Sequence, residues 1–111
     1  MQRVSEFELP FRRGESGVKY LMRGPRLDWG VIVLRPGERL EPHYHDVVEE
    51  TFYVLRGEAC LLANGTEYRG IPGDVYRMEP LERHEVRNSG SEDAKLVFIK
   101  TPFLPEDKVD V

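Results

Sequence analysis

The stretch "GERLEPHYHDVVEETFYVLRG", residues 37–57, decides the fold. It holds two of the chain's three histidines, His43 and His45, two positions apart. Two adjacent carboxylates follow, Glu49 and Glu50, before an apolar run that closes at Gly57. In a strand, residues i and i+2 point to one face, with Cα atoms about 6.6 Å apart. Two imidazoles on that spacing can lean together and each place a nitrogen about 2.1 Å from one metal ion. Pro42 favours extended backbone in Glu41 and supplies no ladder donor, which suits the start of a strand. Strand parity then divides the carboxylates. If 50–55 is extended, Glu50 shares a face with Phe52 and Val54, and Glu49 falls with Thr51, Tyr53 and Leu55. The apolar set belongs to a barrel interior, so Glu50 is the expected inner carboxylate and Glu49 its alternative. Tyr44 should point away from the histidine face, and Asp46 should shape the turn.

Outward from this stretch, turn signals recur: "RGP" at 23–25, "RPGE" at 35–38, "ANGT" at 63–66, "IPGD" at 71–74 and "NSGS" at 88–91. Short runs rich in β-branched and aromatic residues lie between them, among them "VIVL", "TFYVL", "ACLLA", "VYRM" and "LVFI". Many short strands at such spacing are the signature of an all-β sandwich or barrel. Asn64-Gly65 marks a type I′ hairpin. No segment carries the 3.6-residue apolar period with caps, so little helix is expected. "LVFI" at 96–99 is apolar on both faces, which calls for an opposing sheet on one side and a partner subunit or terminal segment on the other. The expected layout is one domain over 1–111: a core barrel at about 18–100, an N-terminal arm at 1–17 and a C-terminal tail at 101–111. That tail, "TPFLPEDKVDV", is expected to leave the barrel, with Phe103 and Leu104 packing back onto a neighbour. Trp29 reads as core or interface.

The 111 residues suit a single domain, and 40% hydrophobic with 32% charged residues fits a globular chain. A net charge of -4 gives no basic surface for nucleic acid or for anionic lipid. No apolar run approaches the roughly 20 residues of a spanning helix. Residues 1–17 lack the apolar core of a signal peptide, and a cytoplasmic location is expected. Cys60 is the only cysteine, and its strand context reads as a small buried apolar residue.

From Gly37 the pattern is Gly-x5-His-x-His-x4-Glu-x6-Gly, through His43, His45 and Glu50 to Gly57. Further on, Gly73 is followed by His84 at +11 and Asn88 at +15. These residues closely resemble the two motifs of the cupin superfamily. The first motif is matched fully. In the second, Glu79 stands where the family has proline, and Leu81 where it has glycine. The resemblance implies a small double-stranded β-helix, a jelly-roll barrel. It also implies a divalent metal inside, held by His43, His45, Glu50 and His84.

Three neutral imidazoles and one carboxylate suit manganese, iron, nickel, copper, cobalt or zinc, with manganese and iron favoured. Four protein ligands on an octahedral ion leave two positions open. The site then carries a net charge near +1 and should attract an anionic oxygen donor. The expected function is a metal-dependent small-molecule enzyme of dioxygenase, decarboxylase, isomerase or lyase/cyclase type, acting on an oxygen-rich, anionic substrate. The alternatives are a non-catalytic module binding a metal or small acid, and a closed tetrahedral zinc site. Parity places Val86 and Asn88 with His84 inside, Glu85 and Arg87 outside, and Asn88 reads as a turn residue. One or two of Tyr76, Arg77 and Met78 should line the cavity. No lysine falls in either motif, which leaves Arg35 and Arg77 as unassigned candidates for an anion anchor. The resemblance further implies a homodimer paired through outer sheet faces.

Overall fold

The computed structural model describes residues 1–111. The sequence's turn-punctuated pattern becomes ten strands and one 3-10 turn, Glu6–Glu8. The strands are β1 (Gly17–Arg23), β2 (Asp28–Leu34), β3 (Arg39–His45), β4 (Glu49–Arg56) and β5 (Ala59–Ala63). They continue as β6 (Thr66–Gly70), β7 (Val75–Met78), β8 (His84–Arg87), β9 (Ala94–Thr101) and β10 (Lys108–Asp110). No helix is long and apolar enough to cross a membrane.

Two five-stranded antiparallel sheets form, in the orders β1-β2-β9-β4-β7 and β10-β3-β8-β5-β6. Neighbours in the sheets are mostly distant in sequence, as a jelly roll requires. Local chemistry sets the turns. Asn64 and Gly65 both take positive φ, 49° and 84°, the type I′ geometry that the dipeptide predicts between β5 and β6. Gly57 is required by close approach: a Cβ there would lie 2.3 Å from the Asp93 carbonyl oxygen.

Alternation in each strand fills the space between the sheets. Ile32, Leu34, Phe52, Val54, Leu61, Val86, Leu96 and Phe98 form one buried cluster. Phe52 sits directly opposite Phe98, and Val54 opposite Leu96. Complete burial of such side chains contributes about 1.5–3 kcal/mol each.

The "LVFI" run is apolar on both faces for two different reasons. Leu96 and Phe98 point into the core. On the outer face Val97 is half-buried and Ile99 stays 40% exposed. The N-terminal arm reaches part of that face. Glu6 accepts from Lys19 Nζ through its carbonyl (2.6 Å) and pairs with Lys95 Nζ through its carboxylate (2.9 Å). Trp29, opposite Ile99, is half-buried on the same outer surface. Cys60 is only half-buried, with Arg69 and Arg87 as its strand neighbours, and burial pushes its thiol up.

The tail does not leave the barrel. Residues 108–110 pair with β3 as β10, covering an edge that would otherwise present unpaired backbone groups. The Asp107 carboxylate anchors the return by accepting from the backbone N–H groups of Val47 and Val48, both at 2.8 Å. Phe103 packs against Gly24 of its own chain, where an added Cβ would lie 2.9 Å from the ring.

Candidate metal centre

The register of β3 begins the site. Its pairing with β8 shifts between Leu40 and His43, so the Glu41–Pro42 step is a bulge that re-aims the chain. Past it, His43 lies directly opposite His84 of β8. His43 and His45 share the inner face, and Tyr44 takes the outer one beside Val109 of β10. Glu50 enters from β4 in the other sheet, on the face that carries Phe52 and Val54. His43, His45, Glu50 and His84 thus meet with one potential ligand atom each, all within 4.8 Å of one another. They are 2–7% exposed.

Hydrogen bonds orient the rings. His43 Nδ1 lies 2.8 Å from the Glu41 carbonyl, and His84 Nδ1 lies 3.0 Å from the Glu82 carbonyl. A carbonyl oxygen only accepts, so each Nδ1 carries the hydrogen and, in the neutral ring, Nε2 is left bare. The bare nitrogens face Glu50 Oε1, at 3.8 Å from His43 and 3.2 Å from His84. His45 Nε2 also lies 3.2 Å from that oxygen. Acceptors therefore face acceptors in a buried space, and only a cation reconciles them: a proton or a metal ion. Three imidazole nitrogens and a carboxylate oxygen at this separation fit one divalent transition metal. Burial pushes the Glu50 carboxyl up. The His43, His45 and His84 rings, which can donate to it only when their facing nitrogens are protonated, together with the charge of Lys100 outweigh that and hold it well below the usual carboxylate range.

The loop that delivers His84 departs from the family pattern in sequence, yet its backbone takes a positive φ of the kind that glycine favours. Leu81, at the family glycine position, takes φ 70°. Its N–H donates to the His45 carbonyl at 2.7 Å, tying the loop to β3. Asn88 is no ligand. Its Nδ2 donates to the carbonyls of Leu34 (2.8 Å) and Glu92 (2.7 Å), and its Oδ1 accepts from Gly90 N–H, which makes it the staple of the turn after β8. Glu85 faces outward as parity requires, yet it is buried beneath Arg39 and Arg87.

A cavity of about 120 Å³ opens onto His43 and Glu50, walled by Val18, Tyr20, Ile32, Leu40 and Phe98. A second, of about 160 Å³, reaches His45 and Val48. Arg12, Tyr20, Lys100 and Lys108 line both. The sequence-based candidates lie elsewhere. Arg77 faces outward, bonded to Glu79, and Arg35 is paired with Glu15 at 2.5 Å. Tyr76 and Met78 do face inward, but Tyr76 packs on the core with its hydroxyl on the Arg69 carbonyl, and neither lines these cavities. Lys100 had a signal in the sequence: it continues the inward series Leu96, Phe98. Arg12 and Lys108 had none, because long-range contacts place them.

Comparison with known proteins fits this architecture. A Klebsiella pneumoniae subsp. pneumoniae protein with a double-stranded β-helix domain superposes with a TM-score of 0.86. The match covers 100% of this chain and 97% of that one, at 21% identity. The chain is 37% identical over 78 residues to polyketide synthase CurC of Streptomyces cyaneus, covering 69% of this chain and 50% of that protein. It is 34% identical over 70 residues to quercetin 2,3-dioxygenase of Bacillus subtilis, covering 63% of this chain and 20% of that protein. At most, the chain spans about half the length of the curated relatives it matches. A family model, the cupin domain, matches residues 30–100, from β2 through all four clustered side chains into β9, and the chain belongs to that family.

Proposed function

We propose that the protein is a metal-dependent enzyme acting on a small, oxygen-rich, anionic molecule, with His43, His45, Glu50 and His84 holding one divalent metal. The observation that carries this reading is the convergence of bare imidazole nitrogens on a buried carboxylate. Manganese or iron is favoured for three nitrogens and one oxygen, with nickel, zinc, cobalt and copper also suited to the donors. A divalent metal there would polarise a bound oxygen donor and stabilise negative charge on it. The chain's own part is to fix the rings through the Glu41 and Glu82 carbonyls and to exclude water with Ile32, Leu40 and Phe98. The cavity beside His43 and Glu50 favours an open site over a closed tetrahedral zinc.

Dioxygenation, decarboxylation, isomerisation and lyase or cyclase chemistry all fit such a site, since the fold alone does not choose a reaction. Metal analysis of protein purified without chelator should find about one divalent ion per chain. Less than a tenth of that after reconstitution with each candidate metal would refute the reading. A screen of metal-defined protein against small organic acids, with and without oxygen, then finds the reaction. Binding without turnover would make it a binding module.

A homodimer is part of this reading. The outer face of the first sheet carries Tyr53, Val75, Val97 and Ile99 in adjacent rows, a surface suited to a second copy. Sedimentation at micromolar concentration should give twice the chain mass; a monomer there would remove this element alone. A cytoplasmic location completes the proposal, supported by a charge-rich composition with one unpaired thiol.

A further inference from the structure

The chain is acidic overall, yet the wall of its metal-fitting cavity is cationic. Lys100 lies directly opposite Glu50, and Lys108 directly opposite His45, so register sets each ammonium stem beside a member of the cluster. Arg12 joins them from the N-terminal arm. The acids in the same walls are occupied. Asp28 is held in a fork by Arg23, with Nε at 3.1 Å and Nη2 at 2.9 Å. Glu41 is bonded to Arg39 at 3.1 Å. The cations are not matched in this way. The Arg12 guanidinium has no hydrogen-bond or ion-pair partner in the protein. Lys100 Nζ has no carboxylate within ion-pair distance and donates instead to the Tyr20 hydroxyl at 2.8 Å. Lys108 meets only the exposed Asp110, at 3.3 Å. Because Tyr20 accepts from Lys100, its own O–H is free to donate into the cavity.

We infer that the cavity takes a small organic dianion. One end offers an oxygen donor to the His43, His45, Glu50 and His84 cluster. The other is a carboxylate or phosphate held by Arg12, Lys100 and Lys108, with Tyr20 donating to it. The inference rests on the proposed metal site for the first end only. The charge distribution favours an anionic group at each end. With a divalent ion, neutral imidazoles and ionised Glu50, the cluster carries about +1, and the three cations add three more. Even without metal the lining is net positive. Both chain termini contribute: the arm brings Arg12 and the tail strand brings Lys108. Two of the three cations, Arg12 and Lys108, thus lie outside the matched family region, residues 30–100, and Lys100 lies at its edge.

The test is calorimetric titration of the metal-loaded full chain with three 2-hydroxy acids that share one head. Lactate carries no second anion, malate adds a carboxylate and 3-phosphoglycerate adds a phosphate. At least one of the two acids with a second anionic group should bind on the order of 30-fold more tightly than lactate, from charge-assisted bonds to that group. Which one does so names the group. Arg12→Gln, Lys100→Gln and Lys108→Gln should each shrink the ratio, taken against that variant's own lactate affinity, and the triple variant should erase it, with the metal content of Arg12→Gln unchanged. Arg12→Gln removes an exposed, unbonded group, so it tests the pocket even if a lysine variant misfolds. Equal affinity for all three acids, or a ratio that survives the triple variant, overturns the inference. A role for Lys100 in merely balancing Glu50 would change metal affinity and leave the ratio alone, which also overturns it. Metal analysis of the same samples separates the two readings. One metal per chain with no dianion preference sinks the inference alone. Absent metal with cation-dependent dianion binding supports the second pocket and sinks the metal site.

Discussion

Along β4 the inward side chains run Glu50, Phe52, Val54, and along β9, from the same end, Lys100, Phe98, Leu96. β8 adds His84, then Val86. One end of the barrel interior is therefore charged and imidazole-rich, and the other is aliphatic. Burial does not distinguish them: His84 is 2% exposed and Leu96 is 0%. The difference lies in what each end has to satisfy. The aliphatic end gains by leaving water and packing densely, and it is complete as it stands. The polar end buries acceptors against acceptors and is complete only with a cation. Period-two alternation sorts inside from outside, and position along the strand then sorts stability from chemistry.

Substitutions at matched burial should break this comparison most sharply. Leu96→Ala at the aliphatic end should cost about 2–5 kcal/mol in denaturant unfolding and leave metal stoichiometry near that of the parent. His84→Ala should do the reverse. It should abolish metal binding and shift the stability of metal-free protein by no more than about 1 kcal/mol. If metal-free His84→Ala were as unstable as Leu96→Ala, the cluster would be part of the core and the division of labour would be wrong. Metal occupancy of the parent should also fall as pH is lowered, since protons compete with the metal for the imidazole nitrogens.

A smaller effect is expected where the tail closes the polar end. Burial pushes the Asp107 carboxyl up, but the N–H groups of Val47 and Val48 outweigh it and hold it below the usual range. A depressed folded value means that the carboxylate stabilises the docked tail at pH above its unfolded value, about 3.9. That stabilisation is lost as pH falls from there through the lower folded value. Asp107→Ala removes both bonds at any pH and should weaken docking by about 1–3 kcal/mol. At neutral pH the amides of Lys108–Asp110 should exchange faster in the variant, while those of β4 and β9 stay protected. Unchanged exchange in β10 would mean that backbone pairing to β3 alone holds the tail.

The sequence shows the aliphatic end and the four clustered residues more clearly than the rest of the mouth. Glu50 was separable from Glu49 because parity and the spacing to Gly57 agree, and the turn at Asn64-Gly65 is written in the residues themselves. Lys100 was open to the same parity reading, since it extends Leu96 and Phe98 by one inward step. Arg12 and Lys108 were out of reach. Their positions follow from Glu6 on Lys19 and Lys95, and from Asp107 on Val47 and Val48, contacts that span up to 89 residues. The same gap turned attention to Arg35 and Arg77, whose neighbours proved to be outward-facing acids. The tail was read as departing because its prolines break periodicity. In the structure they precede a three-residue strand too short to show one.

The finest test lies within two adjacent residues. Glu49 and Glu50 differ by one step on β4 and so by a whole face of the sheet. Glu49 is half-buried on the outer face, with its Oε2 3.7 Å from Arg77 Nε, and Arg77 is itself 58% exposed. An exposed pair of that length is worth about 0–1 kcal/mol, and Glu79 remains to hold Arg77 at 2.8 Å. Glu49→Gln should therefore move stability by no more than about 0.5 kcal/mol and leave the metal content of the chain unchanged. Glu50→Gln replaces the one anionic ligand with a neutral amide and should empty the site. Because the two variants delete the same charge from the same strand, net charge cancels from the comparison and only the face remains. Metal retained in Glu50→Gln and lost in Glu49→Gln would reverse the register of β4, and with it the inward placement of Phe52 and Val54.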